Sequence, residues 1–186
     1  MAKSATIFKL ELQISDLDRS YYQSHDLTIA CHPSETEQRM MVRVLAFALY
    51  ANDRLAFTKG LCADDEPELW DKDYSDVIQL WIDLGQPDEK RIKKALGRSK
   101  QVVIFTYAGN KSRTWWGQNQ ANLEKYKNLQ IIHIKPEEFD ALSALVSRNM
   151  NLQCTIQEGE VWLSSSELNI TLNPQYWLGS KPEPNF

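Results

Sequence analysis

Glycine is scarce in this chain, at 7 of 186 residues, and none of the seven falls in a phosphate-cradling pattern. Neither Gly-x-x-x-x-Gly-Lys nor Gly-x-Gly-x-x-Gly occurs, and neither His-Glu-x-x-His nor Gly-x-Ser-x-Gly is present, so nucleotide-loop and serine-hydrolase mechanisms lose their support. The three cysteines, Cys31, Cys62 and Cys154, are odd in number, far apart and without a Cys-x-x-Cys pair. That pattern fits reduced thiols in a cytoplasm better than a disulfide frame. No apolar run is long enough to cross a bilayer, and Met1 to Gln13 alternates charge with hydrophobes too early for a signal peptide. A cytoplasmic protein with no membrane partner is the expectation. Positive charge is also short: the net charge is −4, so any nucleic-acid contact must come from a local basic patch. With 42% hydrophobic residues, six tryptophans, no internal repeat and no low-complexity linker, the chain reads as one domain, 1–186.

The elements that are present follow from hydrophobic period. Thr6 to Ile14 alternates Phe8, Leu10, Leu12 and Ile14 against Ile7, Lys9, Glu11 and Gln13, and Asp16 to Arg19 turns the chain into a second strand, Tyr21 to Ala30. Ser34-Glu35-Thr36-Glu37 reads as a capping box opening a helix to about Asn52, with Met41, Val44, Leu45 and Ala48 as its apolar stripe. At about 100° per residue Glu37 falls on that stripe, whereas Glu35 and Arg39 point away. Val77 to Leu84 is a strand, Pro87 to Gly97 a capped helix and Val102 to Tyr107 a doubly buried strand, together a βαβ unit with parallel strands. Trp115-Trp116 opens a helix through Tyr126, Leu129 to Ile134 is a strand and Pro136 to Met150 a helix. Three short strands close the chain, in a meander that joins the N-terminal hairpin in an antiparallel layer, and Lys181 to Phe186 is a loose end. The fold class is α+β, a compact mixed sheet with flanking helices plus antiparallel N- and C-terminal strands.

Chemistry concentrates between Pro67 and Gly97. Asp83 ends a strongly apolar strand, on the face that carries Trp81 and Gln79, and a carboxylate there needs a partner. It can be a turn residue before Gly85 and Pro87, or it can join Glu68 of the preceding extended segment at one hard-cation site. Asp64, Asp65, Glu66 and Glu68 put four negative charges in five residues, which is a solvated loop or a cation-concentrating one. The following helix carries Lys90, Arg91, Lys93 and Lys94, with Arg98 and Lys100 beyond, either for solubility or to face phosphate. His25 and His32 lack partners at ligand spacing, His133 reads as a core histidine, and the Trp115-Trp116 pair reads as a core anchor rather than a base-stacking platform.

Pro67-Glu68 followed by Ile82-Asp83-Leu84-Gly85 resembles the Pro-Asp…(Asp/Glu)-x-Lys signature of the restriction-endonuclease-like nucleases, with Glu for the first Asp and Gly85 where lysine is expected. With His32-Pro33-Ser34-Glu35-Thr36-Glu37, Gly60 to Glu68, Trp81 to Lys94 and Trp115-Trp116, nearly the whole chain resembles the YaeQ family of bacterial proteins. The resemblance implies a compact variant of the nuclease core over about residues 34–150 and does not carry an activity. It implies Glu68 and Asp83 as magnesium ligands, Glu37 as the third acid from the first core helix, unless Glu37 closes the capping box instead, and Lys94 as the displaced lysine, although Lys94 faces away from its helix's buried stripe. Gln86 is another polar group near that point.

Two classes of function follow. In the first the chain is a magnesium-dependent phosphodiesterase acting on nucleic acid, with Lys90, Arg91, Lys93, Lys94 and Arg98 meeting the backbone and a metal-bound water attacking phosphorus. In the second it is a nuclease-like domain without catalysis that binds nucleic acid or a protein. The first requires the carboxylates to converge on a site open to solvent. The second predicts at least one of them buried in a salt bridge, for instance to an arginine of the basic helix.

Overall fold

The computed structural model describes residues 4–182. In chain order they form β1 (Thr6–Asp16), β2 (Tyr21–Cys31), α1 (Glu37–Tyr50), β3 (Ala56–Phe57), β4 (Leu69–Lys72) and β5 (Ile78–Leu84). There follow α2 (Glu89–Arg98), β6 (Ser99–Thr106), α3 (Asn110–Leu123), β7 (Leu129–His133) and α4 (Pro136–Ala141), then β8 (Asn149–Gln157), β9 (Glu160–Ser164), β10 (Asn169–Leu172) and β11 (Gln175–Leu178). The residues fall into two compact units, each holding one mixed sheet. The first takes Met1–Leu49, Glu137–Pro174 and Lys181–Phe186 so far as these are described, and the second Tyr50–Pro136 and Gln175–Ser180.

The first unit is built on a five-stranded sheet of order β10-β9-β8-β1-β2. Period-two alternation buries Phe8, Leu10, Leu12 and Ile14 on one face of β1, and β8 does the same with Met150, Leu152, Cys154 and Ile156. The N-terminal hairpin and the C-terminal strands do share this sheet, but the layer is not all antiparallel: β1 and β8 pair in parallel, Lys9 opposite Asn149. The physical reason lies in the chain path, because β8 enters beside β1 only after residues 50–136 of the second unit, and so long a connection places no hairpin constraint on direction. Helix α1 starts at Glu37 under a Thr36 cap, whose Oγ1 accepts from the Arg39 amide at 3.2 Å. The Ser34 capping box does not form, since Ser34 Oγ bonds His32 Nδ1 at 2.6 Å. From Met40 to Ala51 every residue of the segment is buried, so the stripe read from sequence was too narrow. The expected helix from Pro136 to Met150 stops at Ala141: a 3-10 turn, Leu142–Leu145, follows, and from Asn149 the alternation of β8 takes over. The loose end expected at Lys181 to Phe186 falls largely outside the described residues.

The second unit is a six-stranded sheet of order β11-β7-β6-β5-β4-β3, with β5, β6 and β7 parallel and the outer strands antiparallel. The β5-α2-β6 crossover matches the expected βαβ unit, with Asp83 beside Ile104. Trp81, Val102, Ile104, Leu129 and Ile131 on one sheet face pack with Ile92 and Ala95 of α2 and with Trp115 and Leu123 of α3. Trp115 Nε1 donates to Pro87 O at 2.9 Å, and Trp116 stacks on Trp177. Both indoles of the pair therefore anchor their helix.

Candidate functional site

The site is the face of β5 under helix α2. Glu68 stands just before β4, and its amide donates to Ile82 O at 2.9 Å, which sets Glu68 beside the strand that carries Asp83. Trp81 and Asp83 share one sheet face, and Asp88 caps α2 by accepting from the Arg91 amide at 2.7 Å. One turn of helix beyond that cap, the Arg91 side chain reaches back over the sheet. Its Nε donates to Asp83 Oδ2 and its Nη2 to Asp83 Oδ1, both at 2.8 Å, a fork-to-fork ion pair. The same guanidinium donates to Asp64 O and Glu66 O, each at 2.9 Å. The bonds to Asp83 hold the Arg91 pKa above its usual value against the opposing effect of burial, and the charges of Asp83, Glu68 and Asp64 add to the rise.

Both carboxylates are sequestered: Asp83 is 3% exposed and Glu68 6%. Gly60 makes room for Glu68, since a Cβ there would lie 2.9 Å from Glu68 Oε2, and its φ of +54° also favours glycine. The acidic loop runs along α2. Lys94 bonds the Asp65 carboxylate, which lowers the Asp65 pKa first by that hydrogen bond and then by charge, and Arg98 Nη1 donates to Asp65 O at 2.9 Å. Lys93 pairs with Glu89 at 2.8 Å, and Lys90 is exposed. Arg91, Lys93, Lys94 and Arg98 are thus occupied by the chain's own carbonyls and carboxylates.

Of the residues read from sequence, Glu68, Asp83, Arg91 and Lys94 belong to the second unit; Asp83 is bonded to Arg91, and Glu68 stands beside the same strand and adds to the field at Arg91. Glu37 belongs to the first unit and is exposed in the first turn of α1. There the inward carboxylate is Glu35, reversing the orientation expected from period: it accepts from Arg39 Nη1 at 2.7 Å and from Arg43 Nε and Nη2 at 2.9 and 2.6 Å. Arg43 is only 3% exposed, an arginine the sequence reading passed over although it sits in the middle of an apolar helix. Gln86 donates to Thr106 Oγ1 at 3.0 Å and Ser112 Oγ at 3.1 Å, a second network that periodicity does not signal. Among the described residues no group of three or more His, Cys, Asp or Glu side chains is disposed to hold a metal ion, and no helix is long and apolar enough to cross a membrane.

A family model described as YaeQ protein matches residues 1–174. A YaeQ protein of Escherichia coli (strain K12) is 46% identical over 177 residues, 95% of this chain and 98% of that relative. One from Salmonella typhi is 43% identical over the same shares. The crystal structure of the YaeQ protein from Xanthomonas axonopodis pv. citri superposes with a TM-score of 0.93 at 47% identity, covering 95% of this chain and all of that one. The structure from Pseudomonas syringae gives 0.90 at 35% identity, covering 95% and 97%. The two mixed sheets with their helices match these crystal structures.

Proposed function

The chain belongs to the bacterial YaeQ family, and from that premise and the Arg91 geometry we propose that it is a protein-binding scaffold descended from a nuclease-like core, without phosphodiester turnover. The observation that carries this reading is the fork-to-fork contact of Arg91 with Asp83. A hard divalent cation needs carboxylate oxygens it can reach, and here both Asp83 oxygens are taken by a resident guanidinium in a buried setting. Arg91 stands in the place of the metal as the counter-charge of Asp83, with Glu68 adding to its field. A phosphate-facing role for Lys90, Arg91, Lys93, Lys94 and Arg98 is weakened in the same way, because four of the five already answer to groups of this chain. A protein partner remains the better supported class.

The magnesium phosphodiesterase is the second reading, favoured by one feature: the Glu68 amide bonds Ile82 O across the β4–β5 ladder, which sets Glu68 beside the strand position of Asp83. In it Glu68 and Asp83 hold Mg²⁺, Lys94 of the same unit supplies the positive charge, and Arg91 must first leave. Titration calorimetry with Mg²⁺ and Mn²⁺ on the native chain beside Asp83→Ala separates the two. The scaffold reading expects no binding heat in the native chain. Heat in the native chain that disappears in Asp83→Ala refutes it and restores the magnesium site.

A further inference from the structure

Strand β2 is one of the two edge strands of the first unit's sheet, paired with β1 on one side only. Which of its backbone groups face outward follows from the ladder. The Lys9 amide donates to Arg148 O at 2.9 Å, toward β8, so Lys9 makes no backbone hydrogen bond to Thr28, its partner across β2. Antiparallel ladders alternate, so Tyr22, Ser24, Asp26, Thr28 and Ala30 all turn their N–H and C=O away from β1. Arg43 supports this direction, because its Nη2 donates to Ala30 O at 2.9 Å. That leaves four residues, Tyr22, Ser24, Asp26 and Thr28, all exposed, whose outward backbone groups meet no partner among the described residues. Native edges of this length are ordinarily blunted by lysine, proline, a bulge or a covering element. β2 has no lysine or proline, and it pairs with β1 in unbroken register over 11 residues.

We infer that β2 is an interaction edge for a second copy of this chain, pairing antiparallel across a two-fold axis. The occupant follows from self-complementarity, since a two-fold pairing must match the strand with its own reverse. The four open residues are centred on His25, and one register gives each of them a partner: Tyr22 opposite Thr28 of the second copy, and Ser24 opposite Asp26. An aromatic faces a β-branched residue, a hydroxyl faces a carboxylate, no two carboxylates meet, and the two His25 rings face one another on the axis. Sliding the copies one step one way sets Asp26 against Asp26; one step the other way leaves Thr28 beyond the strand's end. In the favoured register two five-stranded sheets become one continuous sheet. This inference does not depend on Arg91 and stands or falls apart from the metal question. A strand pair buries less than the roughly 1,600 Å² of a standard interface, so dissociation in the range of about 1–100 µM is expected.

The test is sedimentation equilibrium of the full chain from about 1 to 200 µM, followed by cross-linking. The native chain should pass from monomer to dimer over that range, Thr28→Ala should dimerise as well, and Thr28→Pro or Ser24→Pro should remain monomeric. Proline removes an outward N–H that the β1 ladder does not use. To hold the result independent of how well the proline variants fold, Ser24→Cys chains are mixed with Asp26→Cys chains, both carrying Cys62→Ser, and oxidised. The favoured register predicts a cross-linked heterodimer in several-fold excess over either homodimer. A native chain monomeric throughout, as when another protein's extended segment is the true occupant, overturns the inference. So does a dimer that survives both proline substitutions, or cross-links without preference for the mixed pair.

Discussion

Replacing Arg91 by methionine tests the central geometry most directly. Methionine keeps the aliphatic reach across the sheet and removes the charge, leaving Asp83 and the carbonyls of Asp64 and Glu66 without their donor. Breaking a buried ion pair from one side costs about 3–5 kcal/mol, because the remaining charge is stranded. The Asp83 side chain is 4% exposed but that of Arg91 is 32% exposed, so water can partly replace the guanidinium and about 2–4 kcal/mol is the better figure. For a chain of this length that amounts to about 5–15 °C in Tm. Tryptophan fluorescence in a urea titration reads the right region, since Trp70, Trp81, Trp115, Trp116 and Trp177 lie in the second unit and only Trp162 in the first. The double variant Asp83→Asn with Arg91→Met should recover more than half of the loss, because the stranded charge goes with its partner. If Arg91→Met stays within about 1 kcal/mol of native, or if Asp83→Asn deepens the loss, the pair is not the counter-charge described here.

Three further outcomes follow from neighbouring groups. Glu35→Ala strands the buried Arg43 and should cost the first unit about 3–5 kcal/mol, seen as faster hydrogen exchange of the β1 amides; unchanged exchange would refute the network's role. The Asp65 pKa is depressed, so its contribution to stability is present above the unfolded carboxylate value near about 4 and is lost as pH falls through the folded value. Carboxyl NMR should therefore show the Asp65 pKa rising in Lys94→Gln, and an unmoved titration would break the link. Burial pushes the Cys154 thiol up to about 12, so it should resist thiol reagents near about pH 8 in the folded protein and react once denatured. Labelling of Cys154 in the folded chain would contradict that burial.

Much of the architecture was legible in spacing. The alternation of β1, the capped basic helix α2, the doubly buried β6 and the parallel β5-α2-β6 unit all came from periods of two and 3.6 and from cap chemistry, which act over a few residues. Errors fell where two local signals competed. Ser34 and Thr36 both offer a cap, and the hydroxyl of Ser34 is claimed by His32. Asn149 to Ile156 can be read at either period, and the alternation that buries Met150, Leu152, Cys154 and Ile156 prevailed over the end of a helix. Helical period does not govern Glu35, which precedes the Thr36 cap; that leaves its carboxylate to turn back onto Arg39 and Arg43 while Glu37, the first residue of the helix, is exposed.

The candidate site divides along the same line. Sequence alone marks Asp83 as a carboxylate in an apolar strand and Arg91 as a cation in the next helix, because burial and capping are properties of each segment by itself. It also offers Glu68 as a carboxylate that can join Asp83, with the acidic loop read as solvated or cation-concentrating. The choice of Arg91 rather than Lys94 as the group that meets Asp83 was made only by the crossover, which brings Arg91 within reach of Asp83 and of the Asp64 and Glu66 carbonyls and leaves Lys94 to the Asp65 carboxylate. The parallel docking of β8 on β1 was likewise decided only in the folded chain, since strands more than a hundred residues apart carry no local record of the direction in which they will meet.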